Sequence, residues 1–235
     1  MKLNTIRSAQ ILGCGALAAL ILVGCSGSNK FGSLQQQQQE AIRSTKDVTL
    51  QCQLGKEACE ALQLQLSLEG FDVTVTEPQE LNVSGYNGDA LVTVASDANA
   101  AASLTWVSSS TAHVDFTRIY DFEIGVYHKA VKGRILKWDM RLFQQGLSSS
   151  YTLTSDGLLE AISVTIAAAL GHTASLTAKL HDQNQNYRRY AAEWMGKIGN
   201  PDFLSSLRKQ LAEEEIEEVK REIRKAISSI PNEST

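Results

Sequence analysis

The sequence predicts an α+β protein with a mostly antiparallel sheet, a strand–helix–strand start, packed helices and a C-terminal helical extension. Three observations lead to this prediction. Apolar and polar residues alternate over 48–54 and again over 71–75, which is typical of strands with one buried face. The intervening segment, 56–68, carries apolar residues at helical spacing, and Gly70 suits a left-handed helix end. From Ser155 onwards the apolar residues recur at helical spacing.

A first hairpin is predicted directly after the strand–helix–strand unit. Asn87-Gly88 is a dipeptide that favours a two-residue type I′ turn, which would join a strand over 81–84 to one over 90–95. A further strand is predicted to begin near Leu104 and to continue past Val114.

The clearest predicted hairpin pairs 122–127 with 136–142, with a turn at Lys132-Gly133. One face is apolar and includes Trp138, so this face is expected to belong to the core. The other face carries acidic and basic residues in alternation, which favours cross-strand ion pairs between Glu123, Asp139, Lys137 and Arg141.

The helical part is predicted to contain three helices. The first is almost wholly apolar, which indicates burial against the sheet, and it ends at Gly171. The second covers 176–198, and Asn200-Pro201-Asp202 then provides an N-cap, a proline at the first position and an acid near the helix start. The last helix extends to Ile230.

Apolar residues in the last helix keep the three-four spacing of a coiled-coil seam, which makes them candidates for binding a partner or a second copy. A packed amphipathic helix is the alternative. The candidate partner-binding residues are Leu211, Ile216, Val219, Ile223 and Ile230.

The N-terminus combines basic residues, Lys2 and Arg7, with an apolar stretch over 11–23 that is too short for a permanent membrane span. It ends in Leu-Val-Gly-Cys at Leu22–Cys25, which resembles the lipobox of bacterial lipoproteins. The resemblance implies cleavage between Gly24 and Cys25 and acylation of Cys25. Ser26 rather than Asp follows the cysteine, which implies the periplasmic face of the outer membrane.

This reading divides the chain into four parts: a signal peptide over 1–24, the acylated cysteine with a flexible glutamine-rich tether over 25–46, an α/β core over 47–171 and a helical extension over 172–235. The glutamine run at 35–39 is either a solvated spacer or the start of a helix. Removal of Lys2 and Arg7 with the signal takes the formal charge from −4 to −6, which gives no electrostatic indication of nucleic-acid binding.

Two cysteines remain after Cys14 leaves with the signal and Cys25 takes lipid. In an oxidising periplasm this pair, Cys52 and Cys59, predicts a disulfide between the first strand and the following helix. Two buried thiols are the alternative, and a metal site is less favoured because no histidine lies near in sequence.

No catalytic motif occurs in the sequence, and we predict that the protein is not an enzyme and carries neither cofactor nor metal. Acidic residues of the strand region, including Asp115 and Asp121, suit acid–base chemistry in principle, but ion pairing is the simpler interpretation. His172 follows a helix end at Gly171, where a local contact is favoured over metal binding. The four dispersed histidines are His113, His128, His172 and His181.

The segment from Glu60 through Val73 has a helix–glycine–strand order that resembles the curli-secretion lipoprotein and the penicillin-binding-protein activators, as do 97–106 and the 127–138 hairpin. This resemblance covers 48–171 and implies an α/β core that serves an envelope complex. We therefore predict a non-enzymatic accessory or structural lipoprotein that binds other envelope proteins or itself through its C-terminal helices. The alternative is a protein that binds a lipid or a small apolar ligand, including a role like that of the lipopolysaccharide-transport lipoprotein.

Overall fold

The fold is α+β, with a mixed sheet and a set of helices that follow it. The computed structural model describes residues 30–53, 56–76, 83, 85–96, 105–108, 114–146 and 156–231. The elements are α1 Gln36–Arg43, β1 Asp47–Cys52, α2 Lys56–Leu68, β2 Asp72–Thr76, β3 Ala90–Ser96, β4 Thr105–Ser108, β5 Val114–His128, β6 Arg134–Gly146, α3 Asp156–Ala169, α4 Ala174–Leu180, α5 Gln185–Ile198, α6 Leu204–Glu213 and α7 Glu217–Ser229.

The prediction of a mostly antiparallel sheet is confirmed only in part. Its order is β2-β1-β3-β5-β4, with β6 also paired to β5. The strand–helix–strand unit places β1 and β2 in parallel, as a helical crossover requires, and β3 then joins the other edge of β1 in parallel as well. The pairings of β5 with β3, β4 and β6 are antiparallel. The sheet is therefore mixed.

The predicted hairpin at Asn87-Gly88 is wrong. Both edges of β3 are occupied, one by β1 and the other by β5, so a strand that precedes β3 has no edge to pair with. Gly88 does not adopt the positive φ of a type I′ turn. The lack of a side chain at Gly88 instead allows its backbone to lie close to Asp47, because a Cβ at this position would be 2.7 Å from the carbonyl oxygen of Asp47. Of the predicted strand over 81–84, only Val83 lies among the described residues.

The β5–β6 hairpin is confirmed. Ile124 lies opposite Trp138, and both are buried on the apolar face. Gly133 adopts a φ of 92°, which favours glycine in the turn. On the charged face, Glu123 binds Arg134 at 3.1 Å and approaches Lys137 at 3.9 Å, which are cross-strand pairs of the expected kind.

Two of the predicted helices are each divided in the structure. The chain between α4 and α5 turns at Asn184, whose side chain accepts a hydrogen bond from the backbone N–H of Asn186 at 2.9 Å and caps α5. The last predicted helix is broken between Glu213 and Glu217 into α6 and α7. The predicted restart at Asn200 is confirmed, because its side chain accepts from the N–H of Asp202 at 3.0 Å.

The helices after Gly171 share one core with the sheet. Trp138 of β6 lies against Trp194 of α5, with ring centroids 4.0 Å apart, and Tyr190 lies beside them. The Tyr190 hydroxyl donates to the carbonyl of Ala161 at 2.8 Å, and burial raises its pKa. The predicted helical extension thus packs on the same contiguous apolar cluster as the α/β part.

Residues 30–46, predicted to be part of the tether, are folded. Phe31 and Ile42 are buried in the core, and α1 carries the glutamine run as a helix rather than as a spacer. The backbone N–H of Gly32 donates to the carbonyl of Gly199 at 3.0 Å. The apolar residues at 31 and 42 supply the burial that a tether lacks, so the segment from Lys30, the first described residue, already belongs to the folded body.

Among the described strands, β2 lies at one end of the sheet. Asp72 donates its N–H to Lys46, so the backbone groups of Asp72 point towards β1 and those of Val73 point to the outer edge. The side-chain amide of Gln63 in α2 donates to the carbonyl of Val73 at 2.8 Å. The helix therefore satisfies one of the outward carbonyl groups of the edge strand.

Candidate functional site

The predicted cleavage and acylation positions, Gly24 and Cys25, lie outside the described residues. Their roles stay predictions. Among the described residues, no helix has both the length and the apolar character required to cross a bilayer.

The structure contains the disulfide between Cys52 and Cys59. Their Cα atoms lie 5.8 Å apart, and both side chains are fully buried. The bond joins the last residue of β1 to the first turns of α2, so it fixes the start of the crossover helix relative to the sheet.

The proposed partner-binding seam faces the interior, which corrects that prediction. Val219, Ile223 and Ile230 are at most 4% exposed and belong to the core. Leu211 is partly buried, and only Ile216 is substantially exposed, at 40%. The reason is that α5 of the same chain already occupies the apolar face of α7.

The contact between α5 and α7 is close. A Cβ at Gly196 would lie 2.8 Å from the Cα of Ala226, so this position admits no side chain without a shift of one helix. Arg189 approaches Glu218 near the start of both helices, and Gly196 meets Ser229 near their ends. The two helices are thus parallel, and their C-terminal ends lie together.

A buried ion pair holds the break between α6 and α7. Arg188 binds Glu214 through two hydrogen bonds of 2.7 and 2.8 Å, and the Glu214 side chain is only 2% exposed. The hydrogen bonds from Arg188 lower the pKa of Glu214 to about 2, while burial opposes this shift. Gln210 and the backbone N–H of Ile216 also donate to this carboxylate.

A groove lies where the C-terminal ends of α5 and α7 meet β6, with a cavity volume of about 380 Å³. We call it the lysine groove. Its charged lining consists of Lys30, Lys137, Lys197, Lys225, Glu193 and Glu222.

The lysine groove has a net positive charge, since four lysines and two glutamates line it in a chain whose formal charge is −4. Lys197 binds Glu193 at 2.6 Å and lies over the ring of Trp194, 4.2 Å from its centroid. Lys225 binds Glu222 at 3.2 Å. The side chains of Lys197 and Lys225 are 50% and 63% exposed.

A second, larger groove of about 1110 Å³ lies at the start of β1, β2 and β3. We call it the polar groove. Its charged residues are Asp47, Asp72, Asp89 and Lys129, which give a net negative charge. Burial raises the pKa of Tyr86 in its wall, and the charge of Asp89 adds to this effect.

The groups of the polar groove are engaged in contacts that join strands. The Asp89 backbone N–H donates to the carbonyl of Asp47 at 2.8 Å, and its carbonyl accepts from Lys129 at 3.1 Å. Burial lowers the pKa of the neighbouring His128, while Asp89 opposes this effect. Within the described ranges, no group of three acidic, histidine or cysteine side chains is placed to hold a metal ion.

The other histidines serve local contacts. His172 stacks on Phe71, and its Nδ1 lies 3.2 Å from the carbonyl oxygen of Glu69, just after α2. This is a helix-end contact as predicted, although the helix is α2 rather than the one that Gly171 ends. His181 Nδ1 lies 2.7 Å from Gln210. His113 lies outside the described residues.

The lysine groove is a surface feature that the sequence does not predict. Its members come from four distant positions in the chain, and no motif or spacing links them. The available signal is Lys197 in the last turn of α5, which alone favours only an interaction with the helix dipole.

The chain matches no protein-family model. It also has no significant similarity to a curated protein.

Proposed function

We propose that this protein is a lipid-anchored accessory component of the bacterial envelope, held at the periplasmic face of the outer membrane through Cys25. The observation that carries the proposal is the N-terminal sequence: basic residues, a short apolar stretch and Leu-Val-Gly-Cys at Leu22–Cys25. Two or more acyl chains on one cysteine give stable anchoring, whereas a single chain does not.

Two features of the folded body support this proposal. The disulfide between Cys52 and Cys59 suits an oxidising compartment such as the periplasm. The described body already includes Lys30, and only four residues lie between it and Cys25, so a membrane anchor at Cys25 would lie close to the folded domain.

A structural rather than catalytic role is supported by how the charged and aromatic groups are used. Arg188 and Glu214 hold a helix break, and Asp89 joins the starts of two strands. Trp138 and Trp194 pack against each other inside the core. These contacts explain the placement of the groups by folding, so the exposed surface is the part left to serve other envelope components.

Binding of an apolar ligand is less well supported. That function needs an enclosed apolar cavity between sheet and helices. In the part of the chain that the structure describes, a contiguous cluster of buried side chains occupies this space. The polar groove has carboxylates in its lining, which disfavour an apolar ligand.

The anchor is tested by expression of the full chain in a Gram-negative bacterium with an alkyne-tagged palmitate. We expect label on the wild-type protein and its recovery in outer-membrane fractions. The Cys25→Ser variant should lose the label and remain as an uncleaved precursor. The Cys14→Ser variant is the matched control, because this cysteine lies within the apolar stretch, and it should behave as wild type. Label that persists in Cys25→Ser would overturn the anchor assignment.

The accessory role is tested by sedimentation of the acylated protein, extracted in mild detergent at native expression levels. We expect a particle larger than the monomer, either with other envelope proteins or with further copies of the chain. A particle of monomer mass after gentle extraction and chemical crosslinking would contradict the accessory role, even if the anchor is confirmed.

A further inference from the structure

We propose that the lysine groove is the surface that lies against the headgroups of anionic phospholipids in the membrane that carries the anchor. This inference rests on the proposed acylation of Cys25 and specifies how the body is oriented on the membrane. The occupant of the groove is thus a lipid surface, not a soluble protein.

The chain between the anchor and the described body is short. Four residues lie between Cys25 and Lys30, so five Cα–Cα steps join them. A fully extended chain of this length spans at most about 18 Å, which is less than the diameter of a small domain. The part of the body that includes Lys30 must therefore stay close to the membrane surface.

Lys30 is itself part of the lysine groove and is fixed to it. Its ammonium group donates to the carbonyl of Ser229, at the end of α7, with a distance of 2.8 Å. The next turn is fixed at the end of α5, where Gly32 donates to Gly199 and a Cβ on Gly199 would lie 3.1 Å from the Lys30 side chain. The chain that leads to Cys25 therefore joins the described body at the lysine groove.

The lysine groove and the polar groove differ in the sign of their net charge. The groove is net positive, whereas the polar groove, with three aspartates and Lys129, is net negative. An anionic surface attracts the first and repels the second, within a Debye length of about 8 Å at physiological ionic strength. Linker length and charge therefore favour the same orientation.

The test uses the full-length acylated protein, reconstituted into vesicles of phosphatidylethanolamine and phosphatidylglycerol or kept in neutral detergent micelles. An amine-reactive acetylating reagent labels the lysines, and mass spectrometry gives the rate at each position. We expect the rates at Lys197 and Lys225 to fall at least threefold in vesicles. Lys56 is the internal control, because it is 76% exposed and follows β1, three strand spacings from β6. Its rate should not change.

Charge dependence is tested in the same vesicles. High salt, at about 1 M, shortens the Debye length to about 3 Å and should reduce the protection. The double variant Lys197→Gln/Lys225→Gln should lower the protection of Lys30, whereas Lys56→Gln should not. The wild-type footprint needs no variant, so a folding defect in the double variant leaves the test valid.

The outcomes separate this inference from the proposed function. An intact mass without acyl chains would overturn both. An acylated protein whose Lys197 and Lys225 react as fast in vesicles as in micelles would overturn the orientation alone. Equal protection of Lys56 and the groove lysines would also overturn it, because the whole surface would then be shielded without a preferred face.

Discussion

The α5–α7 pair and the edge strand β2 are both amphipathic in sequence, yet the structure buries them to very different extents. Val219 and Ile223 of α7 are at most 1% exposed, because α5 packs closely on them. Val73 and Val75 of β2 are only partly buried at the end of the sheet. An amphipathic sequence thus leads to full burial of its apolar residues only where a second element covers the apolar face. We expect the stability of the fold to depend mainly on the helical side.

The largest effect is expected at the contact between β6 and α5. Trp138→Ala removes a ring that is 4% exposed and lies against Trp194, so the free energy of unfolding should fall by about 3–5 kcal/mol. Chemical denaturation measures this loss. Trp138→Phe is a graded control that should lose less than half as much. An unchanged unfolding midpoint for Trp138→Ala would show that this face contributes little.

The next effect is expected at the break between α6 and α7. Arg188→Ala leaves the Glu214 carboxylate buried without its partner and should cost about 3 kcal/mol. The neighbouring Arg189 is the matched control, because it is 53% exposed and lies 3.9 Å from Glu218. Arg189→Ala should cost less than about 1 kcal/mol. Denaturation measures both losses. Equal losses of unfolding free energy for the two variants would contradict the expected difference between the buried and the exposed ion pair.

Loss of the disulfide, which lies on the side of the sheet that includes β2, is expected to have an intermediate effect on the free energy of unfolding. Replacing Cys52 and Cys59 together by alanine opens a loop with a sequence separation of 7, and this should cost about 2–3 kcal/mol. Peptide mapping without reductant checks that the bond forms in the wild type. Identical melting temperatures of the wild type with and without reductant would show that the bond does not stabilise the fold.

Acid sensitivity should be traceable to Glu214. Its pKa falls from 4.5 to about 2 on folding, chiefly because of Arg188, so the bound proton is disfavoured in the folded state. The stabilisation is complete above the unfolded pKa and is lost as the pH falls from about 5 towards 2, on the order of 1–2 kcal/mol by pH 3. Glu214→Gln should flatten the dependence of unfolding free energy on pH in this window. If the slope of unfolding free energy against pH did not change in this variant, the acid sensitivity would arise from other carboxylates.

The smallest effect is expected on the exposed side of α2. Leu68 is 72% exposed, so Leu68→Gln should change the free energy of unfolding by less than about 0.5 kcal/mol. Leu66→Ala on the same helix is the buried counterpart, since Leu66 is fully buried, and it should cost about 2–5 kcal/mol. A large loss for Leu68→Gln in thermal denaturation would mean that the side of α2 next to the sheet edge is more tightly packed than its exposure indicates.

Local periodicity was sufficient for the elements whose neighbours in sequence are also their neighbours in space. The β1–α2–β2 unit and the β5–β6 hairpin were predicted in this way, and the cysteine pair followed from their spacing and compartment. Gly88 was misread because its small size serves an approach to Asp47 from another strand rather than a turn. A dipeptide signal does not contain that long-range contact.

The errors at the C-terminus and at the candidate site share a physical cause. The stripe at Val219 and Ile223 indicates that one face of α7 is buried, but not whether the same chain or another molecule buries it. The helix break at Glu214 depends on Arg188, which lies 26 positions earlier. The lysine groove likewise forms only when Lys30 meets the ends of two helices.

The hydrogen bond from Gln63 to Val73 has a consequence for how copies of the protein meet one another. Attachment to a surface confines molecules to two dimensions, where collisions between their sides become frequent. An outer strand with unsatisfied backbone groups is a template for pairing with another chain. By occupying one of those acceptors from within, the Gln63 amide disfavours the growth of an intermolecular sheet from β2. Crowded copies are thus less prone to pair through this edge, whichever other surface they use to associate.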